Sequence, residues 1–86
     1  MKDNKQATII FNSEQIKQEN IKYILKTVND ALNERGYSAV TQIVGYLVTN
    51  DPAYISSYKN ARTLIQTVDR DEILKEIVRS YLSNNE

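Results

Sequence analysis

Polar and apolar positions alternate along most of this chain with the period of a helix. Ile21, Ile24, Leu25, Val28, Ala31 and Leu32 recur at three- and four-residue spacing and span an arc of roughly 120°. They predict a helix over about 20–35, with Asn20 as its N-cap. Gly36 follows Arg35 as a left-handed stop signal. A second helix is expected over about 39–49, capped by Ser38, with Val40, Ile43, Val44, Leu47 and Val48 as its apolar face. Asp51-Pro52 starts a short helical turn through Ile55. Ser56 and Ser57 offer a cap for a third helix over about 57–67, burying Tyr58, Ala61, Leu64 and Ile65. Asp69 and Glu72 have the spacing of a capping box and open a last helix over about 70–82.

Residues 1–19 break this pattern. They read as a flexible polar arm with one β-branched and aromatic run, Thr8-Ile9-Ile10-Phe11, that could form a short strand or dock on the body. The domain division is therefore an arm over 1–19 and a helical domain over 20–86. The fold class is all-α, a compact bundle of four to five short helices.

Two features point beyond a simple bundle. Gly45 sits mid-helix, where it costs about 1 kcal/mol relative to alanine. A close approach by another backbone, within the subunit or from a second one, would explain it. The last helix carries Ile73, Leu74, Ile77, Val78, Tyr81 and Leu82 over roughly half of its wheel, where one small core needs about 100°. That excess predicts a second buried face, and so a closely packed or intertwined homodimer.

Size and composition support the same reading. A chain of 86 residues builds a core of limited stability and needs an additional source of it. The sequence has neither cysteine nor histidine, so disulfides and thiolate zinc sites are excluded. Self-association remains. Six tyrosines, Tyr23, Tyr37, Tyr46, Tyr54, Tyr58 and Tyr81, suit protein interfaces because each buries area while keeping a polar tip. Tyr23 lies off the apolar face of its helix and is expected to be exposed. The interface candidates are Gly45, Tyr46, Tyr54, Leu74, Val78, Tyr81 and Leu82.

Chemistry is sparse. Histidine, the commonest acid–base catalyst at neutral pH, is absent. Two glycines cannot build a phosphate-cradling loop. Asp69, Asp71 and Glu72 cluster at a helix start, where acidic residues favour the dipole. No catalytic residue, metal site or cofactor is expected. Eleven basic and eleven acidic residues balance, which argues against nucleic acid. The alternative is a helix-turn-helix reader presenting Lys59, Asn60, Arg62 and Gln66, but its segment also carries the core-like Tyr58 and Leu64. The lack of a long apolar run predicts no membrane span or secretory signal and a cytoplasmic location.

The strings Gly36-Tyr37, QIVGYLVTNDPAYI from Gln42 to Ile55, Ala61-Arg62, Leu64-Ile65, Arg70-Asp71-Glu72-Ile73, Glu76 and Tyr81-Leu82 resemble the IreB family of small bacterial regulatory phosphoproteins. The resemblance covers about 20–82. It implies a helical homodimer from a low-GC Gram-positive bacterium and no enzymatic activity. It further implies phosphorylation by a membrane Ser/Thr kinase with PASTA repeats, reversal by a PP2C-type phosphatase, and negative regulation of the cell-envelope stress response and cephalosporin resistance through a downstream protein. Thr8, in the context T-I-I-F, stands where the family has a phosphorylated threonine. Lys5 stands where the family has a second one, which leaves Thr8 as the candidate.

Overall fold

A computed structural model of the chain describes residues 12–84. Thr8 and the Ile9–Phe11 run lie outside the described residues. Four α-helices follow one another: α1 (Ser13–Glu34), α2 (Ala39–Thr49), α3 (Ala61–Ile65) and α4 (Arg70–Asn84), with 3₁₀ turns at Pro52–Tyr54 and Tyr58–Asn60. The all-α expectation holds, and no strand occurs among the described residues.

Helix α1 starts seven residues before the predicted Asn20. Its N-cap is Asn12, whose side chain accepts a hydrogen bond from the Gln15 amide at 2.7 Å. Residues 13–19, expected outside the helical domain, therefore belong to the helix. Their sequence, Ser13 to Glu19, has only Ile16 as an apolar residue, so no stripe announced it. The extension buries little; its cap opens it, and charge pairs set it beside α4. The other end is as expected. Gly36 has φ +79°, Tyr37 N–H donates to the Leu32 carbonyl at 3.0 Å and Gly36 N–H to that of Asn33 at 2.9 Å. This double bond pattern is the Schellman motif, and glycine takes its left-handed position without a Cβ penalty.

The α1 stripe forms the spine of the core. Ile21, Ile24, Val28, Ala31 and Leu32 are all buried, joined by Ala39, Tyr46 and Leu47 of α2, Ile55, Ala61 and Ile65 of the middle segment, and Ile73 of α4. Leu25, Ile43, Tyr58, Leu64 and Val68 pack around its margin.

Helix α2 is capped as predicted, Ser38 Oγ accepting from the Thr41 amide at 3.2 Å. It is rotated from the predicted orientation. Tyr46 is buried in the subunit's own core, whereas Val40, Val44 and Val48 are exposed. Thr41, Gln42, Gly45 and Thr49 mark the polar side of this helix, and the inner face is Ala39, Ile43, Tyr46 and Leu47, with the valines between the two.

The third helix is shorter than predicted. Lys59 and Asn60 both have positive φ, at 50° and 63°, so a left-handed turn interrupts the segment and α3 occupies only Ala61–Ile65. Side chains fix this turn. Ser56 Oγ accepts from the Tyr58 amide at 3.1 Å, and the Ser56 amide donates to Gln42 Oε1 at 2.9 Å. Arg62 Nε donates to the Ile55 carbonyl at 2.7 Å. These bonds satisfy backbone groups that the broken helix leaves without helical partners.

Gly45 has a local explanation. A Cβ there would lie 2.5 Å from Cδ1 of Tyr54, so the glycine seats an aromatic ring from the 3₁₀ turn instead of a helix backbone. Asp51 holds that turn, its Oδ1 accepting from the Ala53 amide at 3.0 Å. Gly45→Ala is expected to destabilise the fold by about 1 kcal/mol, because overpacking outweighs the gain in helix propensity. With Tyr54→Ala already present, the same change is expected to stabilise by about 1 kcal/mol. Urea denaturation of the four-member cycle checks this, and a stabilising Gly45→Ala beside an intact Tyr54 would contradict it.

Candidate interaction surface

Helix α4 packs principally on α1. Ile73 is fully buried against it, and Glu76 is the buried charged residue of the seam. A buried carboxylate must be paired to be tolerated. Glu76 Oε1 accepts from Arg79 at 3.0 Å, and Lys22 of α1 stands 4.0 Å from Oε2. Looser pairs flank it: Lys17 with Glu72 and Glu14 with Arg79, each at 3.9 Å. Exposed pairs of this length add little stability. Their contribution here is register, since they match the first turns of α1 to one side of α4.

The opposite side of α4 is apolar and uncovered. Leu74, Val78, Tyr81 and Leu82 are exposed, and Ile77 is exposed beside a shallow groove with Leu25, Lys22 and Ser80. Val78 is 54% exposed and Leu82 61%, values expected of lysine or glutamate rather than of valine and leucine in a small monomer.

A second uncovered stripe runs along α2. Val40, Val44 and Val48 recur every four residues, and Val40 and Val48 are 72% and 75% exposed. One hydrogen bond links the two helices: Arg70, one turn before Leu74, donates from Nη1 to the Leu47 carbonyl at 2.8 Å. Exposed apolar surface of this kind marks sites of association.

The structure sorts the interface candidates. Leu74, Val78, Tyr81 and Leu82 lie on the uncovered α4 face. Tyr46 is withdrawn into the core, and Gly45 is covered by the half-exposed Tyr54. The composition-based reading of tyrosine missed Tyr46, which turns into the subunit's own core. The α2 valines were expected inside, so sequence reasoning missed them as surface residues. Tyr23 is exposed as expected, and Tyr81 equally so.

The helix-turn-helix candidates are arranged differently from a reading head. Lys59 and Asn60 lie in the left-handed turn, outside any α-helix. Lys59 Nζ donates to Glu34 Oε1 at 2.7 Å, and Tyr58 Oη donates to Glu34 Oε2 at 3.1 Å. Arg35 lies over the Tyr58 ring at 4.8 Å, a cation–π distance. The Lys59 and Tyr58 hydrogen bonds hold the Glu34 carboxyl below its ordinary value, and Glu34 raises the Lys59 ammonium above its own. Arg62 is committed to the Ile55 carbonyl, and Gln66 Nε2 donates to the Arg62 carbonyl at 2.9 Å. Helix α3 has only five residues, with Ala61 and Ile65 turned inward.

Among the described residues, no group of three or more carboxylates, histidines or cysteines stands close enough to hold a metal ion. No described helix is long and apolar enough to cross a membrane. These features define a small helical protein with exposed apolar stripes on two of its helices. Residues 6–83 match the family described as IreB regulatory phosphoprotein, and the chain belongs to that family.

Proposed function

We propose that this chain is a non-enzymatic regulatory phosphoprotein that works as a homodimer through protein–protein contacts. On this reading it is cytoplasmic. A Ser/Thr kinase of the PASTA type phosphorylates it on Thr8, and a PP2C-type phosphatase reverses the modification. It restrains the cell-envelope stress response, and with it cephalosporin resistance, by engaging a downstream protein.

The observation that carries the contact-based part is the pair of exposed apolar stripes, Val40, Val44 and Val48 on α2 and Leu74, Val78 and Leu82 on α4. A fold of this size supplies little net stability by itself, and covering such a surface adds to it. A second copy offers the same surface, so a two-fold arrangement can cover both at once. Family membership supports the regulatory phosphoprotein part. A phosphate on Thr8 would add nearly two negative charges and three strong acceptors just before the α1 cap.

Thr8 is tested by incubating the full chain with the catalytic domain of a PASTA-type kinase and ATP. Intact mass is expected to rise by one phosphate, and Thr8→Ala is expected to remain unmodified. Phosphate appearing only at other residues would refute the assignment. The dimer is tested by solution mass, as argued in the Discussion.

A further inference from the structure

The turn that leads into α3 is built against its own sequence. Tyr58, Ala61, Leu64 and Ile65 have helical spacing, and Lys59, Arg62 and Leu64 are good helix formers. Ser57, at φ −82° and ψ 1°, and Ala61, at φ −57° and ψ −44°, bracket the interruption with right-handed backbone. Between them Lys59, at φ 50° and ψ 35°, and Asn60, at φ 63° and ψ 22°, are left-handed. Asparagine visits that region readily, whereas lysine does so at a cost. Glu34 is misplaced in the same sense. It is the last residue of α1, where a negative charge opposes the helix dipole. The two misplaced residues meet: Lys59 Nζ donates to Glu34 Oε1 at 2.7 Å, and Tyr58 Oη donates to Glu34 Oε2 at 3.1 Å. Local choices that contradict the structure around them mark strained or functional places.

We propose that Glu34 is a latch that holds Lys59-Asn60 left-handed, and that its release lets Ser57 to Ile65 wind into one continuous helix. The other bonds of the turn leave that conversion open. Gln42 and Arg62 hold Ser56 and Ile55, which precede the segment. Ser56 Oγ accepts from the amide two residues on, that of Tyr58, and so already stands as an N-cap for the longer helix. The Asn60 amide donates to the Ser57 carbonyl at 3.0 Å, a bond of helical type. Reversing φ at Lys59 redirects its Cα–Cβ bond, so the Glu34 pair and the continuous helix exclude each other. Both partners of the pair are exposed, and an exposed pair outweighs a competing conformation only narrowly. A switch needs that balance, two forms of similar free energy biased by one charged contact. A ligand that binds Glu34 or Lys59 better in one form shifts the turn towards it. The device depends on neither the dimer nor the Thr8 reading.

The test uses the full chain, uniformly labelled with ¹³C and ¹⁵N. In the parent, one-bond Cα–Hα couplings and backbone chemical shifts are expected to report positive φ at Lys59 and Asn60. Glu34→Gln keeps an acceptor for Tyr58 and removes the charge. It is expected to lower the left-handed population several-fold, with helical shifts and sequential amide contacts running unbroken from Tyr58 to Ile65. Lys59→Gly in the same background is expected to bring the turn back, because glycine enters the left-handed region without a Cβ penalty. The charge swap, Glu34→Lys with Lys59→Glu, is expected to bring it back through the reversed pair. Glu34 and Lys59 are on the surface, so the shifts of residues 21–28 in the core of α1 should stay those of the parent. The proposal is overturned if Glu34→Gln leaves both residues left-handed, or if the freed segment becomes disordered instead of helical. Failure of either second change to restore the turn overturns it too.

Discussion

Val78→Lys is expected to convert the proposed two-chain assembly into single chains at micromolar concentration. Val78 lies near the middle of the uncovered α4 face and is half exposed, so the substitution leaves the subunit's own core untouched. Surface changes of that kind usually alter subunit stability by no more than about 0.5 kcal/mol. In a two-fold interface the same change buries two unpaired ammonium groups. Each loses water without gaining a partner, and a combined loss on the order of 3 kcal/mol weakens association at least ~100-fold. Val44→Lys on the α2 stripe should have a similar effect if both stripes belong to one interface. Tyr23→Lys, on the exposed side of α1, should have none. Light scattering across a dilution series reads all three. A parent that stays a single chain of 9.9 kDa at high concentration would end the proposal, as would a Val78→Lys variant that stays paired.

The second large effect lies in the core. Ile65 is fully buried at the inner face of α3, where that short helix meets α1. Truncation to alanine removes apolar contact and leaves a cavity, at a cost of about 2–5 kcal/mol. A domain this small has little more than that to lose. Ile65→Ala is therefore expected to be largely unfolded at 37 °C, and Ile65→Val to cost only about 1 kcal/mol. Circular dichroism with urea denaturation checks both. A cost below about 1 kcal/mol for Ile65→Ala would mean that α3 is not anchored through this residue.

Why α3 depends on one isoleucine explains what could be read in advance and what could not. Where an element has both a polar and an apolar side, spacing located it. The five buried residues of α1, its Gly36 terminus, the Ser38 cap and the Asp51-Pro52 turn all stand where periodicity and capping chemistry put them. The failures share a cause. Residues 13–19 have almost no apolar side, and the apolar arc of α2 is wider than the inner face it supplies, so in each case the pattern underdetermines the outcome. The interruption at Lys59-Asn60 carries no glycine to signal it, because long-range bonds to Glu34 and Gln42 hold the turn. Leu74, Val78, Tyr81 and Leu82 were legible as a surplus face because Ile73 already accounts for the inner side of α4. The counterpart on α2 was not, since Val40, Val44 and Val48 look like core on the page.

The attachment of α4 has a thermodynamic consequence. This helix is fastened along one edge, by Ile73, the Glu76 pairs and the Arg70 bond to Leu47. Elements held by few buried contacts open locally at a lower free energy than the body they rest on. Any ligand that binds the closed form stabilises it by mass action. A second copy seated on the outer face of α4 would clamp the helix from the side its own subunit leaves bare. Dissociation and fraying then become two views of a single equilibrium, and the protein's concentration sets how firmly its last helix is folded.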